Sequence, residues 1–252
     1  MQLIKQALIT SALLAVAHGQ AVLLGAKGAK KSPISLGLQV DPNNSDDANI
    51  ISDTEISTNI VNECGRTLAA GNIDIGENTE NALAAGNVTQ ATAGSRVSVF
   101  IQQVNRDGAG PFTCDMDQTG NSNGATGQTQ LRVQESSANK KGIISLKVTL
   151  PGSMACTGSS AGNVCTVRCR NENSFGGCFA VQQTDVEPSE NDPTTIETIQ
   201  QLDAVLKQVQ QNIKDLPAAL KGIAEASQEP ADQGTSVIDE IQAADSSTIG
   251  DN

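Results

Sequence analysis

The chain has 252 residues, 38% of them hydrophobic, and a net charge of −12, enough for one sizeable domain and a tail. No basic face is visible along it, so nucleic acid and anionic membrane are poor partners. With no Trp, no Tyr and four Phe, it lacks the flat aromatic platform on which sugar rings or bases stack.

The first residues read as a secretory signal. Lys5 supplies positive charge, Ala7 to Val16 run almost wholly apolar, and Ala15-Val16-Ala17 places small residues where a signal peptidase reads. Residues 1–17 are therefore expected to be removed, leaving a mature chain of 235 residues that begins at His18; cleavage after Gly19 is the competing site. No later stretch is long or apolar enough to span a bilayer as a helix. Six cysteines (Cys64, Cys114, Cys156, Cys165, Cys169 and Cys178) fit three disulfides in an oxidising compartment, with the connectivity open. Asn43-Asn44-Ser45 and Asn87-Val88-Thr89 are acceptor triplets for N-glycosylation of Asn43 and Asn87.

Downstream, Gly25 to Lys31 is small and basic and Asn43 to Asp53 polar and acidic, and both read as surface loops. Asn78 is a reasonable N-cap for a short helix over Glu80 to Ala85, with Gly86 after its end. Val97, Val99 and Ile101 then alternate with Ser98, Phe100 and Gln102, the period of a strand. Asn105 to Pro111 is turn chemistry. Phe112 to Met116, Thr129 to Gln134, Ile143 to Leu150, Val164 to Cys169 and Cys178 to Gln183 supply further strands, and Gly120 to Gly127 reads as a flexible loop. Short strands, Gly-rich turns and cysteines predict an all-β, disulfide-bonded sandwich of the immunoglobulin or fibronectin kind over residues 18–185, with a barrel as the alternative.

Beyond a linker at 186–193 the period changes. Ile199, Leu202, Leu206, Val209, Ile213, Leu216, Leu220 and Ile223 step by three and four, an a/d heptad seam within an amphipathic helical segment at 194–227. Pro217 is expected to kink or break it, with Asp215 capping the second piece. The segment reads as a hairpin packed on itself or on the domain, or as a short coiled coil that pairs two chains through residues 199–223. From Val186 onward, 13 Asp and Glu stand against three Lys, so most of the acidity lies here. Residues 228–252 are acidic, small and poor in apolar groups, the composition of a disordered tail.

Nucleophilic hydrolase sites find little support, because a Ser-His-Asp or Cys-His arrangement would have to recruit His18, the single histidine. Cys165-x3-Cys169 falls short of a zinc-finger pattern. Asp and Glu are plentiful, but no spacing selects a catalytic pair. No catalytic residue is assigned. An N-terminal His18 would offer an α-amine and a ring nitrogen from one residue, a nitrogen set that suits Cu(II).

The stretch Gln103-Val104-Asn105-Arg106-Asp107-Gly108-Ala109-Gly110-Pro111-Phe112-Thr113-Cys114 resembles the signature of fungal infection-associated secreted proteins, the appressorium-specific or cell-surface virulence factors of rice blast and powdery mildew. The His18-Gly19 start, Gly76 to Gly86, Cys156-Thr157-Gly158 through Cys169, and Phe175-Gly176-Gly177 with the Ala180-Val181-Gln182 strand extend the resemblance over about His18 to Asp185. It implies a role in host penetration and early lesion formation with no established enzymatic activity. The partner would be a host surface or a fungal wall component, met outside the cell or at its surface; a cytoplasmic location in the infection cell is the alternative. A fainter resemblance is to copper-dependent lytic polysaccharide monooxygenases and their non-catalytic copper-binding relatives. It implies copper as cofactor, with His18 as first ligand, Asp107 in place of the absent second histidine (Asn105 and Gln103 are the other choices) and Phe175 axial.

Overall fold

The computed structural model describes residues 21–189, apart from 42, 45–46, 59 and 125–126, together with residues 202–225, 236, 239–240 and 243–244. The signal segment, His18, the 194–201 stretch and most of the acidic tail lie outside the described residues.

The alternating runs pair as their periods demand. In β6 (Arg96–Gln103), Val97, Val99 and Ile101 stand opposite Val148, Leu146 and Ile144 of β9 (Ile143–Thr149), and all six are buried. A period of two puts each set on one face, and matching registers bring the two apolar rows together. The remaining strands are β1 (Ala21–Lys27), β2 (Asn49–Ile50), β3 (Arg66–Thr67), β4 (Gly71–Asn72), β5 (Thr89–Ala91), β7 (Phe112–Asp117), β8 (Thr129–Glu135), β10 (Val164–Asn171) and β11 (Phe175–Gln183). They form an eleven-stranded sheet in the order β1-β6-β9-β8-β7-β10-β11-β2-β3-β4, antiparallel throughout, with β5 added parallel to β11.

β8 joins the two halves of this sheet. Thr129 to Leu131 pair with β7, and Arg132 to Glu135 pair with β9. Both halves feed one core cluster that includes Leu23, Ile101, Leu146, Met116, Val167 and Phe179. Gly177 shows how closely they approach: a Cβ there would lie 2.6 Å from the Cβ of Leu23, so β11 can face β1 only without a side chain at that position.

All six cysteines are paired, as Cys64–Cys178, Cys114–Cys169 and Cys156–Cys165. Cys114 and Cys169 are register partners on β7 and β10. Cys64–Cys178 fastens β11 to a region whose own strands are two residues long, and it packs there with Leu38, Ile73 and Ile75.

Several local expectations are corrected. Gly25 to Lys27 are not loop but the end of β1, which pairs with β6 across a register shift at Leu23/Gly25; small residues carry little periodic signal, and the pairing with β6 supplies the order. The Asn43–Asp53 stretch contains β2, and Asp53 opens α1 (Asp53–Ser57), capped by Ser52. The next helix, α2, spans Ile75–Ala84 and is capped by Asp74, whose Oδ1 accepts from the Glu77 N–H at 2.8 Å. Asn78 therefore sits inside the first turn, its Nδ2 donating to the Asp74 carbonyl at 2.8 Å. Asp74 wins because it stands just before the apolar Ile75, which anchors the first turn in the core.

The C-terminal helix α3 runs continuously over Leu202–Glu225 with Pro217 inside it, so the expected break is absent. Proline removes one N–H donor to the Ile213 carbonyl, and the Leu, Ala and Lys residues around it carry the helix through. Asp215 is accordingly not a cap; it is buried in mid-helix and accepts from the Gln211 side chain at 2.8 Å. Leu206, Val209, Ile213, Leu216, Leu220 and Ile223 of the seam are exposed. Lys221 Nζ reaches Glu240 at 2.7 Å, bringing a later part of the chain alongside the helix. No helix among the described residues is long and apolar enough to cross a membrane.

Candidate functional site

One end of the sheet gathers the turns that the sequence marks most strongly. After β6, Asn105 caps a 3-10 turn over Arg106–Gly108 by accepting the Asp107 N–H at 3.0 Å. A cis Gly110-Pro111 bond follows, and the Phe112 N–H that opens β7 donates to Glu135 Oε2 at 2.8 Å. The β10–β11 turn meets this segment through Asn171. Its Nδ2 donates to the carbonyls of Asp107 and Ala109, both at 2.8 Å, and its Oδ1 accepts the N–H groups of Asn173 and Phe175, both at 3.0 Å. Asn173 Nδ2 adds a 2.9 Å bond to the Asp107 carbonyl. Asn171 is buried and spends both donors and both acceptor sites of its amide.

Asp107 and Phe175, the two described positions of the expected copper set, are thus brought to one end of the fold, each held through its backbone by Asn171. The Asp107 side chain is exposed, and the Phe175 ring is partly buried against the main core. β1 begins at Ala21, opposite Gln103 and two positions short of Asn105; His18 lies outside the described residues. Among the described residues no group of three or more His, Cys, Asp and Glu is suited to a metal ion. Sequence reading passed over Asn171; the clue was the Asn-Glu-Asn-Ser run at 171–174, a turn composition between two strands.

A cavity of about 170 Å³ opens beside this turn pair, lined by Asp53, Pro111, Thr113, Arg170, Asn171, Glu172 and Ser174. Arg170 spans its wall, with Nη1 donating to the Ile51 carbonyl at 3.2 Å and paired with the Asp53 carboxylate. The lining carries one cation, Arg170, and two carboxylates, Asp53 and Glu172. Asn87 and Asn43 are exposed, as glycan acceptors must be.

On the β7–β10 face lies a buried ionic group. Arg168 grips Asp115 through Nε at 2.8 Å and Nη2 at 2.6 Å, and its Nη1 donates to the Glu63 carbonyl at 3.1 Å. Glu63 and Asp117 are 3% and 1% exposed. Burial, and then the neighbouring Asp117 charge, push the Glu63 carboxyl up to about 9, so it is neutral at pH 7. The tertiary structure selects this carboxyl pair, which no spacing in the sequence marks.

A family profile described as Egh16-like virulence factor matches residues 17–178, which take in β1 to β10, the Asn105–Pro111 turn and all six cysteines. Among curated proteins, the appressoria-specific virulence factor GAS1 of Pyricularia oryzae is 35% identical over 133 residues, which are 47% of this chain and 52% of GAS1. The appressoria-specific virulence factor GAS2 of the same species is 30% identical over 102 residues, 35% of each chain. The chain thus spans about half the length of the first relative and about a third of the second. A match that covers well over half the chain, including the turn and cysteine framework just described, decides the assignment: the chain belongs to the Egh16-like virulence factor family.

Proposed function

We propose that this chain is a secreted, disulfide-stabilised virulence factor that promotes host penetration and lesion development without catalysing a reaction, acting at a host surface or on a fungal wall component. The observation that carries this reading is the family match over residues 17–178, with relatives named as appressoria-specific virulence factors. The three disulfides support an oxidising compartment, and hence export, over the cytoplasm of the infection cell. In this reading residues 1–17 are the removed signal, Asn43 and Asn87 carry glycans, and residues 18–185 form a β-sandwich of the immunoglobulin or fibronectin kind. The 186–193 stretch links that domain to the helical segment at 194–227 and the acidic 228–252 tail. The exposed seam of α3 pairs two chains within 199–223. The test is deletion of the gene in the fungus that carries it, with complementation by the full gene or by one lacking residues 1–17. Lesion area falls on deletion and returns only with the full gene. Unchanged lesions on deletion, or full rescue without residues 1–17, defeat the proposal.

A second reading, copper binding at His18, is favoured by one observation: Asn171 ties the Asp107 turn to the Phe175 backbone beside the strand pairing that starts at Ala21 and Gln103. The mature protein is expected to bind one Cu(II), and to lose it in His18→Ala or when one residue precedes His18. Calorimetric titration checks this, and absence of binding at micromolar copper removes the reading.

A further inference from the structure

The outer face of one half of the sheet carries cations that no stretch of the sequence groups together. Along β8, β9, β6 and β1, residues of one parity enter the core: Leu131, then Leu146 and Val148, then Val97 and Val99, then Ala26. Their neighbours Arg132, Lys147, Arg96 and Lys27 therefore stand on the opposite face, the first three exposed and Lys27 partly exposed. The strand registers fix their places. Arg132, Thr149 and Arg96 share one row, and Gln134, Lys147, Ser98 and Lys27 share the next. Each of four successive strands thus contributes one cation, staggered between two rows, and the charges advance by about 5 Å per strand in a zigzag across the sheet.

Nothing on this face answers the charge. Glu135, the one carboxylate in the four strands, has the parity of Leu131 and Val133, and its Oε2 accepts the Phe112 N–H. Among the described residues none of the four cations enters an ion pair. The side chains between and beside them, Thr149, Ser98 and Gln134, are hydroxyls and an amide. The glycan acceptors Asn43 and Asn87 lie outside these strands. Most of the chain's acidity lies elsewhere too: the stretch from Val186 onward carries −10 of the net −12, leaving −2 for residues 1–185.

We propose that this face binds a linear polyuronate, a polygalacturonate of the host wall, lying across the strands. Such a polymer presents one carboxylate per linked ring, an advance close to the strand spacing, with hydroxyls between the carboxylates. The Arg and Lys side chains take the carboxylates, and the Thr, Ser and Gln side chains take hydroxyls. An exposed ion pair adds little by itself, so a single sugar acid is held weakly while a polymer engages all four cations at once. A neutral glycan would need the aromatic platform that the chain lacks. The charges follow a line, which suits a polymer better than the plane of a membrane. The choice of a host polymer rests on the reading of this chain as an exported virulence factor; the cationic face itself does not.

The full secreted protein, at pH 6.5 in about 50 mM sodium chloride, is expected to bind immobilised polygalacturonate with micromolar affinity by biolayer interferometry and to release it in about 0.5 M salt. Galacturonic acid, fully methyl-esterified polygalacturonate and a neutral β-glucan should stay unbound. Arg96→Gln, Arg132→Gln and Lys147→Gln combined should keep the wild-type circular dichroism and bind at least tenfold more weakly. Lys207→Gln with Lys214→Gln, on α3, should bind as wild type does. No binding to polygalacturonate overturns the proposal, as does a triple variant that binds unchanged or an α3 variant that weakens binding equally. Tighter binding to polyglucuronate or to phosphatidylserine vesicles also overturns it, giving the face a different partner. Smaller lesions on gene deletion without polygalacturonate binding refute this surface alone, whereas binding with unchanged lesions refutes the virulence reading alone.

Discussion

Replacing Cys64 and Cys178 together by alanine is expected to lower the free energy of unfolding by about 4 kcal/mol, while the Cys156/Cys165 double replacement costs about 2.5 kcal/mol. The ordering follows from loop length. Cys64 and Cys178 are 114 residues apart, whereas Cys156 and Cys165 are nine apart, so the first bridge removes far more freedom from the unfolded chain. The Cys114–Cys169 bridge lies inside the larger loop and shortens it, which keeps the effect nearer 4 than 5 kcal/mol. Local structure points the same way. Around Cys64 the strands are two residues long, and the small cluster of Leu38, Ile73, Ile75 and both half-cystines is what holds that region to β11. Urea unfolding of the two double variants checks the prediction, and equal midpoints for wild type and Cys64/Cys178 variant would falsify it.

The second large effect is a pH dependence set by Glu63. Its folded-state carboxyl titrates near 9 because burial, first, and the Asp117 charge, second, oppose ionisation; Arg168 pulls the other way but is the weakest influence. Asp115, the remaining charged neighbour, is paired to Arg168. A carboxyl raised in the folded state contributes its full stability below the ordinary carboxylate range, and that contribution drains away as pH rises toward 9. The wild type is expected to lose about 3 kcal/mol from this group between pH 4.5 and pH 7. Glu63→Gln should flatten that slope and be the more stable protein at pH 8. Urea midpoints measured across the range decide the matter; parallel curves for the two proteins rule out the account.

How much of this was legible in the sequence depended on how far each determinant reached along the chain. Val97, Val99 and Ile101, and the matching Ile144, Leu146 and Val148, carry their strand assignment in their own alternation, since period two is a local property. The Asn105–Pro111 turn was visible for the same reason, and with the cysteine framework it carried the resemblance that the family match later made firm. The six cysteines announced three bridges. Their pairing was decided by which strands became neighbours, as with Cys114 and Cys169 facing each other across β7 and β10.

What the sequence left open was whatever depends on distant residues meeting. The end of β1, Gly25 to Lys27, looks like a loop until β6 pairs with it. Asp74 displaces Asn78 as the cap because the core claims Ile75, and α3 continues past Pro217 because one lost hydrogen bond does not outweigh a helix-favouring neighbourhood. Asn171 becomes the tie between two turns only once β10 and β7 lie side by side. Glu63 and Asp117 are ordinary acidic residues in one dimension. They form a strained carboxyl pair only when folding removes water from both, because the energy of a buried charge is set by what surrounds it in space.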